Sequence, residues 1–191
     1  FPDNTSVGLL GRNGSGKSTL LKLMAGTSSP SSGKVLRKGT ISYPIGFSGS
    51  FHPDLTGAQN TRFVARIYGS DTDALIDYVQ EFTELGRQFY APYRSYSSGM
   101  RSRLAFGVSM GLNFNTYLID EISAVGDAAF KQKSREIFNA RMKVAGFVFV
   151  SHSDKLVSQM CTAGAVIENG KLSYFSDVNE AIELHKYNMH M

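Results

Sequence analysis

Eight residues near the start of the chain have the types and the spacing that would hold a polyphosphate. Residues 11–18 read GRNGSGKS and fit the pattern G-x-x-x-x-G-K-[ST] without a gap. The glycines allow backbone dihedrals that turn successive N–H groups inward, and the N-terminal end of a following helix adds a positive dipole. The pattern predicts that Lys17 reaches the β- and γ-phosphates of a nucleotide and that the Ser18 hydroxyl ligates Mg²⁺.

The flanking residues predict the elements that such a loop requires. Ser6 to Leu10 reads as a short apolar strand, and the residues after the loop read as a helix that stops at Gly26. A Gly/Ser loop before an ordinary helix with a solvated lysine is the alternative interpretation. The candidate nucleotide-binding residues are Gly11, Arg12, Asn13, Gly14, Ser15, Gly16, Lys17, Ser18 and Thr19.

Three further polar residues follow predicted strands. Asp120 and Glu121 end one apolar run, and His152 comes just after the next. Because the carboxyl ends of parallel strands meet at the edge where a phosphate loop also lies, we expect these side chains beside it. Asp120 is then a candidate Mg²⁺ ligand, Glu121 the general base and His152 the group that orients the attacking water, with Lys17 the third catalytic candidate. Taken singly, an acidic pair after a strand is often a helix cap and a lone His is usually structural.

Composition limits the class of protein. The 191 residues suit one domain with a subdomain, and the single Cys161 cannot form an internal disulfide, which fits a reducing compartment. No apolar run approaches the roughly 20 residues that span a bilayer, and the start does not resemble a signal peptide. The basic residues behind the net charge of +4 are scattered, so nucleic acid is not an expected partner.

The pattern of apolar residues predicts an α/β fold whose alternating strands and helices build a mainly parallel sheet covered on both faces. We expect residues 1–46 and 114–191 to form the nucleotide-binding core and residues 47–113 to form an inserted helical subdomain. Within the core, the short apolar pieces of residues 34–43 predict two short strands.

The predicted subdomain contains three helices. Thr56 and Gln59 have the spacing of a capping box at the start of the first helix. The apolar residues of the first two helices recur at helical spacing, which predicts one core-facing side for each. These residues are Phe63, Val64, Ile67 and Tyr68 on the first helix and Leu75, Val79 and Phe82 on the second.

Residues 96–101, YSSGMR, form a turn of serine and glycine that opens the third helix. A hydroxyl, free N–H groups and a helix N-terminus make a second anion site, although a plain N-cap at Ser97 or Ser98 would show the same pattern. The stretch resembles the signature motif of ABC transporter ATPases. The resemblance implies a head-to-tail homodimer in which Ser97, Ser98 and Gly99 of one subunit close over the γ-phosphate held by the other.

Longer stretches narrow the resemblance. GLLGRNGSGKSTLLKLMAG, SFHPDLTGAQNTRFVARIYG, YSSGMRSRLAFGVSM, YLIDEISAVGDAAFK and VSHS are similar to the ATP-binding subunits of bacterial capsular polysaccharide exporters. Residues 123–127 within them resemble the dimer-contacting D-loop. The family implies a P-loop NTPase core of the ABC type, which is RecA-like, with ATP and Mg²⁺ bound and hydrolysed.

The same resemblance implies the surroundings of the protein. An integral membrane permease would form the channel, and the ATPase would lie peripherally on the cytoplasmic face of the inner membrane and touch the polysaccharide only indirectly. The loop 44–57, with Phe47 and Phe51 as exposed candidates, would receive the permease; packing of these rings under the helices is the alternative. The alternative functions are export of O-antigen or teichoic acid, a soluble ABC ATPase acting on DNA or ribosomes, and a non-hydrolysing nucleotide-binding module.

The sequence departs from the family pattern at several places. The family's first strands and its adenine-stacking aromatic residue would precede Phe1, and the added C-terminal domain of some O-antigen members would follow Met191. No Gln stands at residues 46–48, where the family has its Q-loop glutamine. The signature carries Ser98 where Gly is usual and Met100 where Gln is usual.

Replacement of Glu121 by Gln tests the general base. We expect Glu121→Gln to keep ATP binding and to stall hydrolysis, because the amide cannot accept a proton from water. The variant should then accumulate as an ATP-bound dimer, measured by size-exclusion chromatography beside a phosphate-release assay. Hydrolysis at the parent rate would show that Glu121 is not the base.

Overall fold

The computed structural model describes residues 1–44, 51–120 and 128–190. These residues group into two compact units. The first comprises 1–44, 114–120 and 142–190, and the second comprises 51–113 and 128–141. Residues 128–141 therefore group with the helices, whereas the sequence division assigned them to the core.

The order of elements follows the predicted alternation of strands and helices. The regular elements are β1 (Ser6–Leu10), α1 (Lys17–Ala25), α2 (Gly57–Ile67), α3 (Thr72–Thr83), α4 (Ser98–Gly111), β2 (Thr116–Asp120), α5 (Ala128–Met142), β3 (Gly146–Val150), α6 (Asp154–Met160), β4 (Ala163–Glu168), β5 (Lys171–Phe175) and α7 (Val178–His190), with two short 3₁₀ helices at Gly86–Tyr90 and Tyr93–Ser95.

The first unit is built on a five-stranded sheet in the order β2-β3-β1-β4-β5. β1 lies at its centre and pairs in parallel with both β3 and β4, while β5 runs antiparallel to β4. The predicted mainly parallel sheet is thereby confirmed. Its core is a cluster of buried apolar residues from four strands and α1, namely Val7, Leu9, Leu21, Leu118, Val148, Val150, Ala163 and Ala165.

The prediction of two short strands in residues 34–43 is wrong. The segment makes one isolated bridge, between Ile41 and Thr116. The Asn115 side chain accepts a hydrogen bond from the Thr40 backbone N–H at 2.8 Å. In a strand, this N–H would instead donate to the backbone of a neighbouring strand. Gly39 has a positive φ of 71°, which ends extended backbone just before this point.

The second unit contains the helices predicted for the subdomain. The capping box of Thr56 and Gln59 is present, and the predicted face of α3 is buried. The predicted face of α2 is largely wrong: Phe63 is 53% exposed and Ile67 is 61% exposed. The buried side of α2 is formed instead by Gly57, Asn60, Thr61, Val64 and Ala65.

Aromatic rings join α3, α4 and α5 in the second unit. The Phe82 ring lies 5.7 Å from that of Phe106 and 5.2 Å from that of Phe130, and the Arg103 guanidinium lies 4.3 Å from the Phe130 ring centroid. Lys133 of α5 also donates to the Glu84 carboxylate at 2.6 Å. These contacts explain why α5 groups with the helices.

Within the described parts of the chain, none of the helices combines the length with the apolar character needed to cross a bilayer.

A close approach of α7 to the sheet predicts a site that is sensitive to added side-chain volume. A Cβ on Gly164 of β4 would lie 2.2 Å from the Cβ of Ala181. Since such overpacking forces neighbouring elements apart, we expect Gly164→Ala to lower the free energy of unfolding by about 1–3 kcal/mol, measured by urea denaturation.

The partner residue provides the control for this clash. Ala181→Gly alone should cost about 1 kcal/mol because glycine is a poor helix former. Added to Gly164→Ala, it should restore space, so the double variant should lose less than the sum of the single losses. Strict additivity would contradict the proposed contact.

Candidate functional site

The phosphate loop leaves the central strand β1 and enters α1 through two glycines that the geometry requires. A Cβ on Gly11 would lie 2.5 Å from the Ile167 carbonyl oxygen and 2.6 Å from the Ser15 hydroxyl oxygen. Gly16, at the N-cap of α1, has a positive φ of 107°, which an L side chain rarely adopts. Because Gly16 has no side chain, the first N–H groups of α1 carry no side-chain cap and are left for an anion.

The opposite end of α1 is held by an arginine from the following segment. Arg37 donates through Nε to the Met24 carbonyl at 2.9 Å and through a guanidinium nitrogen to the Leu23 carbonyl at 2.8 Å. A cation at the C-terminus complements the helix dipole, whose positive end faces the phosphate loop. Arg37 thus fixes the helix that carries Lys17 and Ser18.

Lys17 closes the phosphate loop from within. Its ammonium group donates to the Gly11 carbonyl at 2.6 Å and to the Arg12 carbonyl at 2.9 Å. Burial lowers the pKa of Lys17, and the Asp120 carboxylate opposes that shift. The folded chain therefore releases this proton at lower pH than the unfolded chain, so the charge of Lys17 weighs against stability at neutral pH and this cost fades as pH rises.

Asp120 and His152 lie at the same edge of the sheet as the phosphate loop. Asp120 ends β2 opposite Val150 of β3, and His152 follows two residues later as an exposed side chain. β3 separates β2 from β1, so the ends of β1 and β2 are two strand spacings, or about 10 Å, apart. Glu121 lies outside the described residues, as do residues 123–127 and Phe47.

The donor types at this edge suit Mg²⁺. Ser18 is exposed on the first turn of α1, and Asp120 is half-buried and close enough to act on the pKa of Lys17. Hydroxyl and carboxylate oxygens are the ligands that this hard cation prefers, together with phosphate and water. The two predicted ligands therefore fit the ion.

Sequence reasoning missed the residues that anchor the loop from far along the chain. The Arg12 guanidinium lies 3.9 Å from the Glu168 carboxylate of β4 and also donates to the backbone carbonyl of Asn188 in α7. His185 of α7 lies near enough for Lys17 and Arg12 to act on its pKa, which burial lowers. No local pattern could reveal these partners, because more than 150 residues separate them from Arg12.

The crest of the loop also carries an unsatisfied group. Among the described residues, the buried Ser15 hydroxyl has no hydrogen-bond partner. Buried hydroxyls are nearly always paired, so a bound ligand is one source of the missing partner. This observation supports the predicted binding of phosphate at the loop.

The signature stretch lies in the second unit and opens α4. Ser97 is the N-cap, and its hydroxyl accepts a hydrogen bond from the Met100 N–H at 3.3 Å. Ser98 is exposed and Gly99 is half-buried. The helix therefore begins where the sequence predicted, with Ser97 and not Ser98 as the cap.

Phe51, one of the two predicted exposed aromatic residues, is buried. It retains 6% of its surface, and its ring lies 5.3 Å from that of Tyr93. The expectation that Phe51 is an exposed contact is therefore wrong, and its alternative, packing within the helical unit, is what the structure shows.

Comparison with known proteins places the chain among ATP-binding subunits. The family model for ABC transporters matches residues 1–124. The chain is 44% identical over 189 residues to the polysialic acid transport ATP-binding protein KpsT of Escherichia coli, covering 97% of this chain and 84% of that protein. It is 45% identical over 178 residues to the capsule polysaccharide export ATP-binding protein CtrD of Neisseria meningitidis serogroup B, covering 93% and 82%.

A solved structure shows the same fold at much lower identity. The ATP-binding subunit of an ABC transporter superposes with a TM-score of 0.70 at 18% identity, covering 96% of this chain and 89% of that one. The predicted α/β fold of the ABC type is confirmed by this agreement.

The position of Lys17 predicts both an affinity and a pH profile. We expect Lys17→Ala to weaken ATP binding roughly 10- to 100-fold, because a charge-assisted hydrogen bond contributes about 1.5–3 kcal/mol. Since burial lowers the pKa of Lys17, parent affinity should fall with rising pH before an ordinary lysine would titrate. Fluorescent-nucleotide titrations at several pH values measure both effects.

Lys17→Arg is the matched control for the pH profile. An arginine keeps its charge throughout the range, so affinity should stay flat with pH even if its absolute value is lower. Parallel profiles for the parent and Lys17→Arg would show that the titration belongs to another group.

Proposed function

The chain belongs to the ABC transporter family, and from this premise we propose that it hydrolyses ATP to power export of capsular polysaccharide across the bacterial inner membrane. One observation carries the proposal: the similarity to two capsule-type ATP-binding subunits extends over more than nine-tenths of the chain. The phosphate loop with its inward Lys17 supplies the nucleotide site that such a subunit needs.

The residues of the first unit divide the work on the nucleotide. Backbone N–H groups at residues 11–18 and the Lys17 ammonium bind and orient the phosphates. Ser18 and Asp120 hold Mg²⁺, which when bound neutralises charge on the β- and γ-phosphates. Glu121 accepts the proton of the attacking water, and His152 orients that water towards the γ-phosphate.

The second unit acts on the nucleotide of a second copy. Ser97, Ser98 and Gly99 present a hydroxyl and a helix N-terminus, which suit an anion. In a head-to-tail homodimer this motif closes over the phosphates held by the partner's loop. ATP drives closure only because it binds the closed dimer better than the open form, and a shift from 1:99 to 99:1 needs about 10⁴-fold preference.

The membrane partner is an integral permease, which places the chain peripherally on the cytoplasmic face of the inner membrane. With Phe51 buried, the exposed apolar residues of α2 are the better candidates for this contact. Phe63 and Ile67 lie on one exposed side of α2, and Arg62 and Arg66 beside them are exposed as well. Polysaccharide passes through the permease and touches this chain only indirectly.

A chromosomal Lys17→Ala substitution tests the function in cells. We expect polymer to accumulate in the cytoplasm while the cell surface loses it, because the subunit no longer binds ATP productively. Immunoblotting of surface and cytoplasmic fractions measures the shift, and the composition of the retained polymer identifies the cargo.

Lys22→Ala is the control, since this residue lies on the exposed part of α1 away from the phosphate loop and should leave export unchanged. An unchanged surface in the Lys17→Ala strain would remove the capsule assignment. Retained O-antigen or teichoic acid would replace it with export of that polymer.

A further inference from the structure

Two segments of the helical unit are joined where the signature stretch begins. They are residues 51–57, which lead into α2, and residues 92–96, which lead into α4; we call them the paired segments. The Tyr93 N–H donates to the Leu55 carbonyl at 2.8 Å, and the Arg94 N–H donates to the Pro53 carbonyl at 2.8 Å. The paired segments therefore share a short antiparallel connection.

Buried aromatic rings strengthen this connection. The Phe51 and Tyr93 rings lie 5.3 Å apart, and the Tyr93 and Tyr96 rings lie 5.4 Å apart. All three residues are at most 6% exposed. Arg101 of α4 also contacts the row. Its guanidinium carbon lies 5.2 Å from the Tyr93 ring centroid, and its guanidinium donates to the Arg94 carbonyl at 3.0 Å.

Tyr96 ends the row and is the first residue of the signature stretch 96–101. A Cβ built on Gly57 would lie 2.3 Å from the Tyr96 hydroxyl oxygen, so only a glycine leaves room for it. Burial raises the pKa of Tyr96 to about 12, and the Gly57 backbone opposes this rise, so the hydroxyl keeps its proton at neutral pH. The next residue, Ser97, is the N-cap of α4.

Gly57, the residue against which Tyr96 packs, is itself held in place. Gly57 is the first residue of α2, whose N-cap Thr56 takes part in a capping box. The buried Asn60 side chain donates to the His52, Leu55 and Thr56 carbonyls and accepts from the His52 N–H at 2.8 Å. These hydrogen bonds hold the start of α2 against the loop before it, so Tyr96 packs on a residue whose position is fixed.

We propose that Tyr96 is a positioning residue for the rest of the signature stretch, packed against Gly57 and held by Tyr93. This inference rests on the proposed function, because the motif matters only if it closes over ATP. It adds a specific requirement: Gly57 and the Tyr96 hydroxyl must fit each other for the motif to stand where catalysis needs it.

A steric swap between Gly57 and Tyr96 tests the proposal. Gly57→Ala should lower kcat roughly 10- to 100-fold, because a misplacement of about 1 Å has effects of this size. ATP affinity of the phosphate loop, measured with a fluorescent nucleotide, should change less than about twofold, since that loop lies in the other unit. Adding Tyr96→Phe removes the clashing oxygen and should recover part of the lost kcat; recovery is partial because Phe89 also lies within 3.0 Å.

Two single variants complete the experiment. Tyr96→Phe alone should lower kcat by roughly two- to fivefold at unchanged ATP affinity, which keeps the proposal testable if Gly57→Ala does not fold. Tyr90→Phe is the matched control: this exposed tyrosine of the same unit donates to Gln80 and lies outside the row, so its kcat should equal that of the parent.

The outcomes separate this inference from the proposed function. An active parent with unchanged kcat in both Gly57→Ala and Tyr96→Phe overturns the positioning role alone. A double variant no better than Gly57→Ala, with ATP affinity lost as well, overturns it in favour of general unfolding. A parent that turns over no ATP overturns the proposed function and this inference with it.

Discussion

The parallel pairing of β1 with β3 and β4 is the constraint on which the nucleotide site depends. This pairing fixes Leu10 at the carboxyl end of the central strand, so the backbone that follows must turn there. The turn succeeds because Gly11 fits against the Ile167 carbonyl and Gly16 takes a positive φ at the start of α1. The Lys17 ammonium then reaches back to the Gly11 and Arg12 carbonyls, and its burial, which lowers its pKa, is a cost to stability.

Residues remote from the loop keep this geometry in place. Arg37 holds the far end of α1, and Arg12 joins the loop to Glu168 and α7. The helical unit positions the turn that opens α4 by a different means, a row of buried rings that packs on a glycine. The contacts that position the turn of the helical unit are buried, whereas those that hold the phosphate loop and α1 are largely exposed hydrogen bonds and an ion pair.

Sequence alone could predict the regular elements and the phosphate loop because their signals are local. The capping box of Thr56 and the N-cap at Ser97 depend on neighbours within three residues, and both were found. The buried face of α2 could not be predicted in the same way. Asn60 is buried because its side chain bonds loop carbonyls, while Phe63 stays exposed. The spacing of apolar residues cannot show that a polar side chain is buried in this role. The strand prediction for residues 34–43 was wrong for a similar reason, because the Asn115 side chain, far along the chain, accepts the hydrogen bond of the Thr40 N–H. Glu168 and His185 were missed because only the fold brings them to Arg12.

The register of β1 also bears on how the protein is made. Ser6 pairs with Phe147 and Val7 with Ala163, so the strand that carries the phosphate loop leaves the ribosome long before either of its neighbours exists. The helices α2 to α4 contact one another in sequence-local pairs and can assemble during that interval. A growing chain therefore exposes this apolar strand until β3 and β4 emerge, and its nucleotide site matures only after both strands have been synthesised.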